Sequence, residues 1–169
     1  MGADKDPPES HSPPPTVLVD ADLFFFYLRG GKLEDQASKV IEAASAGRVN
    51  LRTSSEVYDD AISALRADEV PLEIVLNFVS DMKAISSSSM PTSAEIAEDA
   101  LSMYMKHRGR RKLSYFDSMH LATAKRYDLP FLTSDRYVIT NAKTLGVMTF
   151  DLAYWDQPND YRQSRMMMS

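Results

Sequence analysis

Short runs of apolar residues alternate along this chain with longer stretches in which apolar residues recur every three or four positions. The first pattern indicates buried strands, and the second indicates helices that pack one face on a core. The predicted strands are residues 16–20, 49–53, 130–133 and 147–150, with a short additional strand at 83–86. The predicted helices begin near residues 22, 33, 54, 71, 93, 116 and 136.

Because strands alternate with helices throughout, the pattern predicts a parallel sheet with right-handed crossovers and helices on both faces. We therefore expect an α/β protein with three layers, α/β/α, around a central parallel sheet of four to five strands. A length of 169 residues favours one domain. We assign residues 16–156 to it, the proline-rich residues 1–15 to a disordered leader, and residues 157–169 to a flexible tail.

Local signals refine these elements. Ser54 or Ser55 is expected to cap the helix over residues 54–68. The serine-rich stretch at 86–93 has the composition of a loop. Residues 136–145 are expected to form one helix that Gly146 ends.

Composition narrows the classes of function. A net charge of −5 argues against nucleic-acid binding by bulk positive charge, but an acidic site that holds cations remains compatible with a nuclease. The chain has no cysteine, which excludes disulfides and thiolate chemistry. No apolar run approaches the roughly 18 residues that cross a bilayer, and the N-terminus lacks a secretory signal, so we expect no membrane contact and a cytoplasmic location.

Four acids fall at successive junctions between elements: Asp20, Asp60, Asp117 and Asp135. In an open parallel sheet, ligands bind outside the carboxyl ends of the strands, so side chains at these junctions can converge. Carboxylates gathered without His or Cys partners select magnesium or manganese. Such a cation activates water for phosphodiester hydrolysis.

Each acid also has a structural alternative. Asp20 and Asp22 can end a strand and cap a helix, and Asp135 can cap the helix after it. Asp117 stands three residues after Ser114, the spacing of a capping box. Asp60 can be a solvated flank. For His120, a packed or hydrogen-bonded role is favoured over a metal-binding one.

A basic loop precedes Asp117, and its residues Arg110, Arg111 and Lys112 are candidates for contact with a nucleic-acid backbone. A solvated charged run is the alternative. Thr133 and Ser134, beside Asp135, are small and polar, and Ser134 is a second candidate for contact with a phosphate or water.

Four segments resemble the PIN-domain family, including its VapC-type toxin ribonucleases: TVLVDAD, TSSEVYDDAISAL, YFDSMHLATAK and LPFLTSDRYV. The resemblance covers roughly residues 16–150. It matches Asp20, Asp117 and Asp135 to the first, third and fourth acids of the family. The second family acid is usually Glu; Asp60 is its best match here, and Glu56, one turn earlier, competes. Asp22 stands where the family often has Asn or Ser.

The resemblance implies a small parallel α/β fold, often dimeric, that cleaves RNA with magnesium or manganese. It makes Asp20, Asp60, Asp117 and Asp135 both catalytic and metal-binding. The implied function is a metal-dependent endoribonuclease, either the toxin of a toxin–antitoxin pair or a stand-alone RNA-processing enzyme. The implied partners are RNA, an antitoxin protein and a second copy of the chain.

Two other classes compete with this interpretation. One is a catalytically inactive PIN-like module that binds RNA or protein. The other is a phosphatase of the haloacid dehalogenase type, because VDAD resembles its opening Asp-x-Asp. The residues after Asp22 are Leu-Phe-Phe, which departs from that family, and no convincing later pair of acids appears.

Overall fold

A computed structural model describes residues 15–156, which form five strands in one parallel sheet. The strands run in the order β3-β2-β1-β4-β5 across the sheet. Their bounds are β1 Thr16–Val19, β2 Asn50–Ser54, β3 Ser87–Met90, β4 Phe131–Thr133 and β5 Thr149–Asp151. After β1, the chain adds β2 and β3 on one side of β1, and then crosses to add β4 and β5 on its other side. The order therefore reverses between β1 and β4, which is where open parallel sheets form a ligand crevice.

The central strands carry apolar side chains on both faces, and helices cover both faces of the sheet. Val17 and Val19 of β1 pack in one core with α1 to α4, whereas Leu18 points to the opposite face and packs with Leu121 and Phe131. All three β1 residues are fully buried. The predicted three-layer α/β/α architecture with a central parallel sheet is confirmed.

Eight α-helices connect and flank the strands within residues 15–156. None of these helices has the length and apolar character that a bilayer crossing requires. Their bounds are α1 Ala21–Arg29, α2 Glu34–Ser45, α3 Val57–Ala67, α4 Leu72–Ala84, α5 Ala94–His107, α6 Tyr115–Arg126, α7 Arg136–Thr140 and α8 Ala142–Leu145.

The strand predicted at residues 83–86 is wrong in position. Lys83 and Ala84 end α4, and the strand is formed by the serine run, Ser87–Met90, which composition had indicated as a loop. This edge strand pairs with β2 through its backbone, so it does not require apolar side chains. Its hydroxyls add to the pairing, since Ser88 bonds Arg52 and Ser89 lies 3.1 Å from the Thr53 hydroxyl.

Three further boundaries differ from the prediction. Neither Ser54 nor Ser55 caps α3: Ser54 is the last residue of β2, and Glu56 precedes the helix without a side-chain cap. The helix predicted at 136–145 divides at Asn141, whose side-chain amide donates to the Tyr137 carbonyl at 2.8 Å. The last strand begins at Thr149, two residues later than predicted. Apart from Pro15, the predicted leader and the predicted tail lie outside the described residues.

Candidate active site

Five carboxylates lie at the carboxyl edge of the sheet, and they come from four separate segments of the chain. Asp20 follows β1 directly, and Asp135 lies two residues after β4. Asp22, Asp60 and Asp117 lie in the first turns of α1, α3 and α6. The fold thus places the four predicted acids, and Asp22 with them, around the crevice between β1 and β4.

The register between β1 and β4 brings a hydroxyl next to Asp20 and another next to Asp22. Val19 lies opposite Leu132, so the residues that follow them in the chain, Asp20 and Thr133, are neighbours. The Thr133 hydroxyl donates to Oδ2 of Asp20 at 2.5 Å. Directly after the end of β4, the Ser134 hydroxyl donates to Oδ2 of Asp22 at the same distance. These hydroxyls hold the two carboxylates side by side.

The capping alternatives are also correct for three of the acids. Asp20 caps α1, through the backbone N–H of Asp22 at 3.0 Å, so the cap is Asp20 rather than Asp22. Asp117 completes a capping box, accepting from the Ser114 backbone N–H at 2.8 Å. Asp135 caps α7, accepting from the backbone N–H groups of the next turn. Capping fixes one part of each carboxylate and does not exclude a second role for it.

The acids act on one another electrostatically. Burial raises the pKa of the Asp20 carboxyl well above its ordinary range, and the charges of Asp22 and Asp117 raise it further. Burial likewise raises the pKa of Asp22, and the charges of Asp117, Asp135 and Asp60 add to that rise. The pKa of Asp117 is raised by burial and by Asp135, although its bonds to Ser114 oppose the shift. Such mutual repulsion is characteristic of functional sites.

The donor set fits a hard cation such as magnesium or manganese. In the part of the chain that the structure describes, the hydrogen bonds of Asp22, Asp60, Asp117 and Asp135 each engage only one carboxylate oxygen. Their second oxygens remain available as ligands, and oxygen is the donor these cations prefer. No three such side chains among residues 15–156 already enclose a point where an ion would sit.

Asp60 and the rival candidate Glu56 face different neighbours. Oδ2 of Asp60 lies 3.0 Å from Nε2 of His120, and its charge reaches Asp22. Glu56 bonds the hydroxyls of Ser55 and Thr92 through Oε1, and its Oε2 is buried without a hydrogen-bond partner among residues 15–156. The environment of Asp60 thus connects it with the acid cluster, whereas that of Glu56 connects it with the start of α5.

His120 is fully buried and hydrogen-bonded, as the favoured interpretation of the sequence predicted. Its Nδ1 lies 2.7 Å from Oγ of Ser54, so it joins the end of β2 to Asp60. Sequence reasoning missed this link because it treated Ser54 as a helix cap. The available signal was the position of His120, one turn after Asp117 on the same helix.

The basic loop between α5 and α6 is exposed. Arg110, Arg111 and Lys112 are all exposed, and none of the ion pairs between described residues involves them. The loop runs directly into Ser114, whose capping box positions Asp117. Its side chains are therefore accessible to a ligand, and no ion pair among the described residues joins them to the acids.

Comparison with known proteins agrees with this architecture. The PIN domain family model matches residues 17–143. Comparison with curated protein sequences gives no match.

Among solved structures, the chain is similar to the VapBC2 complex of Rickettsia felis, which is bound to a DNA fragment from its promoter. The identity is 11%, the match covers 80% of this chain and 98% of that chain, and the TM-score is 0.59. It is also similar to VapC20 of Mycobacterium tuberculosis, a toxin that cleaves the sarcin–ricin loop. That match has 14% identity, covers 68% of this chain and 86% of that chain, and has a TM-score of 0.52. At these identities the likeness concerns the fold.

Proposed function

The chain belongs to the PIN-domain family, and from this premise we propose that it is an endoribonuclease that depends on magnesium or manganese. The observation that carries the proposal is the gathering of Asp20, Asp22, Asp60, Asp117 and Asp135 at one sheet edge. There, burial and the charges of neighbouring acids raise the pKa values of Asp20, Asp22 and Asp117. Carboxylates alone repel an RNA phosphate, so the same set needs a cation before RNA can enter.

Asp22, Asp60, Asp117 and Asp135 would hold the cation through the oxygen that hydrogen bonds leave available. Both oxygens of Asp20 accept a hydrogen bond, so Asp20 would use a remaining lone pair. A bound divalent cation lowers the pKa of an attacking water and offsets charge that develops on the phosphate.

The contacts to RNA would come from two places. Arg110, Arg111 and Lys112 supply positive charge for the backbone. Ser134 donates its proton to Asp22, so it would meet RNA as an acceptor, for example from a ribose 2′-hydroxyl.

The partners belong to the same proposal. The toxins among the similar structures support an antitoxin as the protein partner and support the toxin role over stand-alone RNA processing. A homodimer is the assembly that the family favours.

An inactive PIN-like module that binds RNA or protein is the second candidate. Two observations favour it. The second acid is the shorter Asp60, and no three ligand side chains within residues 15–156 are already arranged around an ion. RNA binding without cleavage under any metal condition would establish this candidate.

The experiment that separates the two is RNA cleavage by the parent with manganese and with EDTA. We expect cleavage only with manganese. Asp20→Asn, Asp117→Asn and Asp135→Asn should each reduce the rate at least about a hundredfold, since each removes a charge that holds the cation, the range in which loss of one electrostatic group costs 10²–10³. Asp59→Asn is the matched control, because Asp59 adjoins Asp60 but is exposed. Variants that all cleave like the parent would refute the site.

A further inference from the structure

One buried imidazole joins two parts of the site that are far apart in the sequence. Nε2 of His120 lies 3.0 Å from Oδ2 of Asp60, and Nδ1 lies 2.7 Å from Oγ of Ser54. We propose that His120 is a positioning residue that fixes the Asp60 carboxylate so that Oδ1 stays available to a divalent cation. This inference rests on the proposed function, because it assigns a role within that same metal site.

Counting protons gives the chain of hydrogen bonds one direction. Oγ of Ser54 accepts from the Glu56 backbone N–H at 3.2 Å and has a single proton to donate. Because Asp60 as a carboxylate can only accept, Nε2 of His120 carries a ring proton and donates it. In the neutral imidazole Nδ1 is then the unprotonated nitrogen, and the Ser54 hydroxyl donates its proton to Nδ1. Both ring nitrogens of His120 and the hydroxyl proton of Ser54 thereby have a partner in one orientation of the ring.

The same geometry excludes a nucleophilic serine. Ser54 is fully buried, so its oxygen cannot meet a substrate. The nitrogens are also reversed with respect to a Ser-His-Asp hydrolase, in which the serine bonds Nε2 and the acid bonds Nδ1. Ser54 therefore orients the ring, and the ring in turn orients Asp60.

The link matters because Asp60 has few other restraints. Its side chain is 23% exposed, and in the part of the chain that the structure describes its carboxylate has no hydrogen bond except that from His120. His120 itself is fixed in α6, three residues after Asp117. One rigid ring thus sets the position of the second acid, on α3, relative to the third, on α6. Loss of such an outer partner typically lowers metal affinity about 10–100-fold.

Two amide substitutions separate positioning from simple packing. In His120→Gln, the amide nitrogen reaches the place of Nε2 and can still donate to Asp60. In His120→Asn, the amide reaches only the place of Nδ1, so the contact with Ser54 is kept and that with Asp60 is lost. Both variants replace the ring by a smaller polar group, so a purely structural role predicts similar effects for the two.

The measurement is manganese affinity of the full chain without RNA, by electron paramagnetic resonance of the free ion. We expect His120→Asn to weaken binding about 10–100-fold and His120→Gln to stay within a few-fold of the parent. In an Asp60→Asn background, His120→Asn should cause no further loss, since the two residues act as a unit. Parent-like affinity in a folded His120→Asn would overturn the inference while leaving the proposed function intact. A parent that neither binds manganese nor cleaves RNA would overturn the proposed function itself, and the inference with it.

A measurement on the parent keeps the inference testable even if the variants do not fold. Long-range proton–nitrogen NMR identifies which nitrogen of His120 carries the proton, with His11→Gln and His107→Gln spectra to assign the other two histidines. We expect the proton on Nε2 and a shift of that resonance when magnesium is added. A proton on Nδ1, or a resonance that magnesium leaves unchanged, would overturn the inference.

Discussion

At the scale of single residues, the acids of this protein combine two roles that sequence patterns present as alternatives. Asp20, Asp117 and Asp135 each cap a helix, and all three also take part in the electrostatic cluster, since Asp117 acts on Asp20 and both Asp117 and Asp135 act on Asp22. A cap uses backbone donors on one side of the carboxylate and leaves an oxygen lone pair for another partner. The sequence identified these positions because each follows a strand or begins a helix. Side-chain contacts such as Thr133 with Asp20 depend on strand register, which local patterns do not specify.

The choice between Asp60 and Glu56 leads to a direct comparison. Asp60→Asn should reduce the rate of RNA cleavage more than Glu56→Gln, because the charge of Asp60 acts on Asp22, whereas Glu56 bonds Ser55 and Thr92. Initial rates at a fixed manganese concentration decide it, with Asp59→Asn as the control for charge at α3. A larger loss in Glu56→Gln would transfer the second acid to that residue.

The raised pKa values predict a pH dependence of stability without metal. Asp20 has an ordinary pKa of 3.8 and a raised pKa when folded, chiefly from burial. Between those two values the folded state binds more protons than the unfolded state, so this group's contribution to the free energy of unfolding falls as pH rises. Above the raised pKa, the loss of unfolding free energy that this group causes is complete and no longer changes with pH.

Asp20→Asn removes this term and keeps the cap of α1, since Asn caps about as well as Asp. In EDTA, the variant should gain stability relative to the parent as pH rises from about 4 towards neutral, and the gain should shrink on acidification. Urea unfolding at a series of pH values measures the difference. A stability difference between variant and parent that does not vary with pH would contradict the assignment of Asp20 as a buried acid whose charge is repelled by neighbouring acids.

At the scale of elements, regular apolar patterns were the reliable signal. The predictions of β1 and β4 were correct because buried central strands are continuous apolar runs in the sequence. The edge strand β3 was missed because three of its four residues are serines, and its stability comes from pairing with β2 that sequence patterns cannot show. The division of the helix at Asn141 was missed for a similar reason, since it depends on one side chain that bonds the backbone.

The loop between α5 and α6 supplies the prediction for RNA binding. Replacing Arg110 and Arg111 together by Ala should weaken RNA affinity and flatten the slope of log affinity against log salt by about 1–2, since up to two phosphates lose their partner. The control is Arg48→Ala with Arg66→Ala, which removes the same charge from exposed positions before β2 and at the end of α3, at the opposite edge of the sheet. Equal salt slopes in the two double variants would make the loop a solvated charged run.

At the scale of the whole molecule, the reversal of strand order beside β1 explains why acids distant in sequence meet. β1 pairs with β2 on one side and β4 on the other, so the chain leaves both β1 and β4 at the same crevice. The alternation of strands and helices predicted the parallel sheet and its two helical layers, but not the order of the strands. It did not predict which side chains lock the acids in place, because that depends on contacts such as that between Ser54 and His120.

The central claim is that these acids form one divalent-cation site, and thermal unfolding tests it most directly. A cation that binds only the folded protein stabilises it by about 2.7 kcal/mol at a hundredfold excess over its Kd. For a domain of this size, that corresponds to a rise in Tm of roughly 5–10 °C. We expect this rise on adding manganese to the parent and to Asp59→Asn, and its near disappearance in Asp20→Asn. A parent whose Tm is the same in EDTA and in saturating manganese would contradict the account.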